Sequence, residues 1–99
     1  MENKYILFGA GYYATVAISL LGKENIEFIV DNNPDKAGMS VEGIQVFAFA
    51  EKKAECTGRT IVISVSEKYS WQIERQLEDE GINNFVTMAK FRQNRQGKR

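Results

Sequence analysis

The sequence predicts a single α/β domain of three layers, in which helices cover both sides of a parallel sheet of about five strands. Short apolar runs alternate with helix-like segments along most of the chain, and this alternation is typical of a parallel sheet. The run at residues 60–65 is β-branched and free of charge, which indicates a strand at the sheet centre. Ninety-nine residues suffice for one hydrophobic core. We assign residues 1–89 to the domain and 90–99 to a basic C-terminal tail.

The first half of the chain begins with an apolar strand at residues 5–8, and a helical pattern follows a short glycine turn. We expect this helix to end at Gly22 and to bury the residues spaced i, i+3, i+4, i+7 and i+8. These residues are Tyr13, Val16, Ala17, Leu20 and Leu21. A second strand covers residues 26–30, and a turn and long loop then run to Gly43.

The second half adds a short edge strand at residues 44–47, a short helix from Ala48 to Glu55 and the central strand. The oxygen of Ser66 is expected to cap a helix that runs to about Glu80. We expect this helix to bury Tyr69, Ile73 and Leu77 and to place Trp71, the only tryptophan, on its outer side. Residues 84–88 form the fifth strand.

Right-handed crossovers arrange five such strands in the order 3-2-1-4-5. The winding then reverses between strands one and four, and ligands of such sheets bind beside the carboxyl ends of the strands at that point. The glycine turn after strand one and the serines after strand four, Ser64 and Ser66, are expected to meet there.

The glycine turn has the form G-x-G-x-x-A, with Gly9, Ala10, Gly11 and Ala14. Gly9 permits a sharp turn, Gly11 permits close approach of a ligand, and Ala14 lets the helix lie near the strand. Backbone N–H groups at the start of the helix favour an anion. This is the dinucleotide-binding fingerprint of Rossmann-like domains, provided that an acidic residue follows about twenty residues on.

Asp31 meets that condition, because it lies 20 positions after Gly11, at the end of the second strand. Its carboxylate can accept hydrogen bonds from ribose hydroxyls, or it can cap the turn of Asn32 and Asn33 through the backbone. No arginine follows to bind a 2′-phosphate, which among dinucleotides favours NAD over NADP. We include Asn32 in the candidate site.

Four more side chains complete the candidate site. One of Tyr12 and Tyr13 is expected to enter the core, and the other, by our interpretation Tyr12, to lie over the mouth of the turn, where it can stack on a base or sugar or close the site. Ser64 and Ser66 can offer hydroxyls to a ligand or act as caps.

Composition argues against most catalytic chemistry. The chain has no histidine, no carboxylate pair and no cysteine cluster with metal-ligand spacing. Cys56 is the only cysteine, which favours a reducing, cytoplasmic compartment. Residues 1–89 hold 8 basic and 13 acidic side chains, whereas 90–99 hold five basic and no acidic ones. The acidic body argues against nucleic acid as a partner, and no apolar run is long enough for a membrane span.

The segments 6–11, 28–38, 41–46 and 61–66 resemble the small Rossmann-like domains of bacterial surface-polysaccharide enzymes. They are similar to the N-terminal domain of sialic-acid-type sugar O-acyltransferases and to the modules attached to nucleotide-sugar dehydratases and methyltransferases, chiefly through the stretch Asp31-Asn32-Asn33-Pro34. The resemblance implies that Gly9, Gly11 and Asp31 contact a nucleotide-sugar. The chain differs in having Tyr12-Tyr13 where those relatives often carry Gly-His, and in having no acyl-transfer domain.

Two classes of function follow. The first is a stand-alone module that binds a nucleotide-sugar or an NAD-type ligand and takes part in bacterial polysaccharide or sugar metabolism, with catalysis absent or supplied by a partner chain. The alternative is a non-catalytic interaction or regulatory domain that keeps the fold and uses Trp71 as a contact, for example in a homodimer.

Overall fold

A computed structural model describes residues 4–88, and the basic tail predicted for 90–99 lies outside them. The sheet strands are β1 (Tyr5–Phe8), β2 (Ile26–Asp31), β3 (Ser40–Val41), β4 (Ile44–Ala48), β5 (Thr60–Ile63) and β6 (Phe85–Thr87). The α-helices are α1 (Tyr12–Leu21), α2 (Phe49–Cys56) and α3 (Glu67–Asp79). Single 3-10 turns cover Lys23–Asn25 and Pro34–Lys36.

The sheet runs in the order β3-β4-β2-β1-β5-β6. Its five parallel strands have the neighbours that the sequence predicts, so β1 and β5 lie side by side where the winding reverses. Leu7 pairs with Ile29 on one side and with Val62 on the other, and all three are fully buried. The apolar runs therefore form the middle of the sheet, as buried parallel strands require.

The prediction of about five strands is wrong by one, because a sixth strand, β3, pairs antiparallel with β4 at the sheet edge. Its two-residue turn, Glu42 and Gly43, has positive φ at both positions, 51° and 86°. Such a turn matches the twist of two antiparallel strands and joins them into a hairpin. The sequence predicts a loop here, because a strand of only two residues shows no periodicity.

Helices cover both faces of the sheet. Helix α1 packs on one face, where Leu7, Ile29 and Val62 belong to the same buried cluster as the helix. Residues of α2 and α3 share the opposite cluster with Ile6 and Phe8 of β1. Successive residues of β1 thus serve opposite faces, as strand geometry dictates, and the domain has three layers.

The buried stripe of α1 differs from the predicted one. The helix buries Ala14, Ala17, Ile18 and Leu21, whereas Val16 and Leu20 are only partly buried at the margin. The stripe is therefore turned by about one residue, or roughly 100°. Small alanine side chains face the sheet because they allow close approach of the helix, and the bulky Tyr13 is turned outward.

Helix α3 also corrects the predicted packing. Ser70 and Leu77 are buried and Ile73 is partly buried, but Tyr69 is 52% exposed. A small serine thus takes the place in the interface that the hydrophobic pattern assigned to tyrosine. Trp71 is exposed, as its spacing predicts.

Candidate functional site

The glycine turn after β1 is built around Gly9. Its φ of +123° is one that side chains rarely adopt, and a Cβ here would lie 2.7 Å from the carbonyl oxygen of Ser64 and 2.8 Å from Cγ1 of Val65. The N–H of Gly9 donates to the carbonyl oxygen of Val30 at 2.8 Å. Gly9 therefore allows the turn to pack directly against the segment that follows β5.

Gly11 occupies the other end of the turn and is open. A Cβ built there meets no described atom within 4 Å, and its φ of −91° is ordinary. Gly11 is the N-cap residue of α1, yet no side chain caps the helix and its first turn contains no acidic residue. Among the residues described, none accepts a hydrogen bond from the N–H of Gly11, Tyr12 or Tyr13. These donors at the positive end of a helix form an anion-receiving surface.

Asp31 ties the end of β2 to this turn. Its Oδ2 accepts a hydrogen bond from the N–H of Ala10 at 2.8 Å, and its Oδ1 accepts one from the N–H of Asn33 at 2.8 Å. The hydrogen bond from Ala10 joins two turns that are 21 residues apart. The hydrogen bond from Asn33 is the capping bond that the sequence predicts as the alternative role of Asp31. A carboxylate has about four lone-pair sites, so about two remain for other donors.

Among the described residues, the side chain of Asn32 makes no hydrogen bond to the glycine turn. Its side-chain amide pairs with that of Gln76 of α3 in both directions, at 2.8 and 2.9 Å. This reciprocal pair lies in an open crevice of about 400 Å³ that Pro34, Phe49 and Lys53 also line. Asn32 is therefore held at the border between β2 and α3.

Ser64 and Ser66 have different environments. The hydroxyl of Ser64 is buried and lies 2.8 Å from the carbonyl oxygen of Gly9 and 3.1 Å from that of Phe8. A hydroxyl has one proton to donate, so Ser64 donates to one of these carbonyl oxygens at a time and holds the turn in place. Because Ser64 is buried, its hydroxyl is closed to solvent. Ser66 occupies the N-cap position of α3 without making a side-chain capping bond, and the predicted capping role is wrong.

The two tyrosines both lie outside the core, because the tight packing of Ala14 on the sheet turns them outward. Tyr12 is 73% exposed and Tyr13 is 41% exposed, so the expectation that one of them enters the core is wrong. Their rings make an edge contact with centroids 5.3 Å apart. Tyr13 is partly covered because it forms one wall of a cavity.

That cavity has a volume of about 220 Å³ and lies at the carboxyl ends of β5 and β6. It is lined by Tyr13, Val65, Ser66, Glu67, Ser70, Thr87 and Met88, and we call it the serine cavity. Glu67, Ser70 and Thr87 are not among the site residues that the sequence predicts. The spacing of Ser66 and Ser70, one helical turn apart just after a central strand, is the signal that could have found two of its polar walls.

Residues 4–88 contain no group of three or more histidine, cysteine or acidic side chains that could hold a metal ion. The thiol of Cys56 is buried, and desolvation, with a smaller contribution from Glu55, raises its pKa to about 11. A buried thiol with a raised pKa is a poor nucleophile at neutral pH. Within the same residues, no helix combines the length and hydropathy needed to cross a membrane.

Comparison with solved structures shows a Rossmann-like fold. The crystal structure of UDP-D-quinovosamine 4-dehydrogenase from Vibrio fischeri matches with a TM-score of 0.64 at 18% identity, over 88% of this chain and 78% of that one. RSP, a Rex-family repressor, matches with a TM-score of 0.59 at 17% identity, over 87% of this chain and 44% of that one. Further structures of RSP contain β-NADH, or β-NAD+ and operator DNA. This chain thus spans less than half the length of the repressor.

No family model matches the sequence, and no curated protein does. Identities of 16–18% show a shared fold. The resemblance to sugar O-acyltransferases rests on the sequence motifs alone.

Proposed function

We propose that this protein is a nucleotide-binding module whose ligand is a nucleotide-sugar or an NAD-type dinucleotide. The observation that carries the proposal is the open end of the glycine turn. Gly11 leaves room for a ligand, and the adjoining N–H groups at the start of α1 have no acceptor among the described residues. A diphosphate would supply the acceptors and the negative charge that this surface favours.

Asp31 is placed to complete the site. It is held beside the glycine turn by the N–H of Ala10 and keeps about two lone-pair sites for the hydroxyls of a ribose. Asn32 follows it directly and offers an amide that a base can reach if its pair with Gln76 opens. Tyr12 projects beside the turn, where its ring can stack on a base or sugar.

The fold neighbours support the proposal. One of them acts on a UDP-sugar according to its name, and another has been crystallised with β-NADH and with β-NAD+. Both classes of ligand contain a diphosphate. We extend the proposal, on the sequence resemblance, to a cytoplasmic role in bacterial polysaccharide or sugar metabolism.

In this proposal, catalysis is either absent or supplied by a partner chain. Trp71 offers the contact surface, because it is 58% exposed and borders a shallow groove with Arg75 and Asp79. Size-exclusion chromatography with light scattering at two protein concentrations tests the homodimer form of this idea. A monomer at both concentrations, unchanged by Trp71→Ala, would rule the homodimer out.

Ligand-observed NMR with UDP-glucose, UDP-N-acetylglucosamine, NAD, NADP and coenzyme A tests the proposed function directly. We expect binding by at least one UDP-sugar or by NAD. Gly11→Val should abolish it, because the added side chain projects into space that only a ligand would occupy. Absence of binding by every compound at millimolar concentration would refute the proposal.

Gly58→Val is the matched control. Gly58 also has open space at its Cβ and an ordinary φ, but it lies in the turn before β5, at the opposite end of that strand from the site. The Gly58→Val variant should bind every ligand as the unaltered protein does. Equal loss of binding in both variants would mean that the effect of Gly11→Val is on folding, and circular dichroism of both variants reads this out.

A further inference from the structure

The glycine turn and the serine cavity are neighbours. Cγ1 of Val65, a residue that lines the cavity, lies against Gly9, and Tyr13 joins the cavity wall to the first turn of α1. The cavity therefore lies next to the glycine turn, on the side of Val65 and Tyr13. With about 220 Å³, the cavity is below the roughly 300–1,000 Å³ of whole ligand sites, so it suits one ring of a larger ligand.

The two neighbouring surfaces differ in hydrogen-bonding character. The glycine turn presents N–H donors and the positive end of α1. The cavity has acceptors in the carboxylate oxygens of Glu67, and it also has a donor in the hydroxyl of Ser66, which makes no capping bond. Ser70 adds to these acceptors, because its hydroxyl donates to the carbonyl oxygen of Glu67 at 3.2 Å and so offers only lone pairs elsewhere. A ring with several hydroxyl groups matches such a wall better than a phosphate, because each hydroxyl can both donate and accept a hydrogen bond.

We infer that the serine cavity binds the sugar ring of a nucleoside diphosphate sugar, with the carboxylate of Glu67 accepting hydrogen bonds from two sugar hydroxyls. The ring of Tyr13 forms an apolar wall against the sugar. A nicotinamide matches this cavity less well, because its one carboxamide supplies only two N–H donors. This inference rests on the proposed function and narrows its ligand from two classes to one.

Isothermal titration calorimetry with matched ligand pairs tests the inference. The pairs are UDP with UDP-glucose, ADP with ADP-glucose, and ADP with NAD, so that the base is constant within each pair. In the pair whose base is accepted, we expect glucose to tighten binding at least about tenfold, the equivalent of one hydrogen bond to a charged group. Equal affinity of the bare diphosphate and its glucose ester, or a larger gain from the nicotinamide riboside of NAD than from glucose, would overturn the inference.

Two substitutions on α3 test whether the gain in affinity from glucose arises at the serine cavity. Glu67→Gln keeps the size of the side chain but replaces one acceptor oxygen by a donor, so the gain from glucose should fall to about threefold or less. Glu78→Gln is the control, because Glu78 is exposed on the same helix and does not line the cavity. An unchanged gain in Glu67→Gln would overturn the sugar assignment and leave nucleotide binding intact. Absence of binding by every compound would overturn both.

Discussion

Gly9 and Gly11 lie two residues apart in one turn, yet the structure uses them for opposite reasons. At Gly9 the space is filled, since a Cβ would overlap the backbone after β5 and φ is +123°. At Gly11 the space is empty, and the backbone there is one that other residues adopt. Gly9 is thus required by the folded protein itself, whereas Gly11 is required only if something binds.

This difference divides the candidate site into a packed part and an open part. The packed part consists of Gly9, Ser64 and the carboxylate of Asp31, which bond to one another's segments. The open part consists of Gly11, the start of α1 and the serine cavity. Substitutions in the packed part should reduce stability, and substitutions in the open part should reduce binding.

Gly9→Ala should have the largest effect on stability. The methyl group overlaps a backbone oxygen at 2.7 Å and a non-glycine residue must adopt a positive φ, so the free energy of unfolding should fall by about 3 kcal/mol or more. Urea denaturation followed by circular dichroism measures this. Gly58→Ala, with no steric overlap, should change it by less than about 0.5 kcal/mol. Similar values for the two variants would contradict the packed role of Gly9.

Asp31→Ala should have the second-largest effect on stability. It removes the acceptor of two backbone N–H groups, of Ala10 and Asn33, and hydrogen bonds to a charged acceptor contribute about 1.5–3 kcal/mol when shielded and less when exposed. We expect a loss of about 2 kcal/mol in the same measurement. Asp35→Ala serves as a comparison, since Asp35 is exposed and its described hydrogen bond uses its backbone N–H. A loss no greater than that of Asp35→Ala would mean that Asp31 is free for ligand alone.

Ser64→Ala should cost about 1 kcal/mol, because the buried hydroxyl is the donor that holds the carbonyl of Gly9. Thr15→Ala removes a comparable hydroxyl-to-carbonyl bond, to Tyr12, at an exposed position. It should cost less than half as much, since water replaces an exposed bond. Equal costs would show that burial of Ser64 adds nothing to the turn.

Gly11→Ala should have the smallest effect on stability of the four, below about 1 kcal/mol, because alanine is a somewhat weaker N-cap than glycine but meets no atom. Its expected effect on ligand affinity is large by contrast. A loss of stability as great as that of Gly9→Ala would remove the distinction between the two glycines.

The sequence predicted the parallel strands and their neighbours well, and the reason lies in their hydrophobic pattern. The runs at residues 5–8, 26–30 and 60–63 are mostly apolar, with Glu27 as the one charged interruption, which favours burial on both faces, and the strands that result lie side by side as predicted. The short hairpin strand β3 was missed because two residues carry no periodicity. Its turn also rests on a positive φ at Glu42, which residue type does not reveal.

The site was predicted less completely. Spacing predicts Gly9, Ala10, Gly11 and Asp31 as candidate site residues, and the structure brings Ala10 and Asp31 into contact. The orientation of Tyr12 and Tyr13 could not be predicted, because the helical pattern allows two stripes that differ by one residue. Only the close fit of Ala14 on the sheet decides between them. The serine cavity was missed because its walls come from three separate stretches of the chain, around Tyr13, residues 65–70 and residues 87–88.

By itself, then, the sequence determined the order of elements, the parallel sheet and the place where its winding reverses, since these depend on local hydrophobicity and on the handedness of crossovers. The tertiary structure decided which glycine is packed and which is open. It also decided that Asp31 holds the turn, and that hydroxyls and a carboxylate surround one cavity. Those features depend on contacts between residues as much as 56 positions apart, which no local pattern encodes.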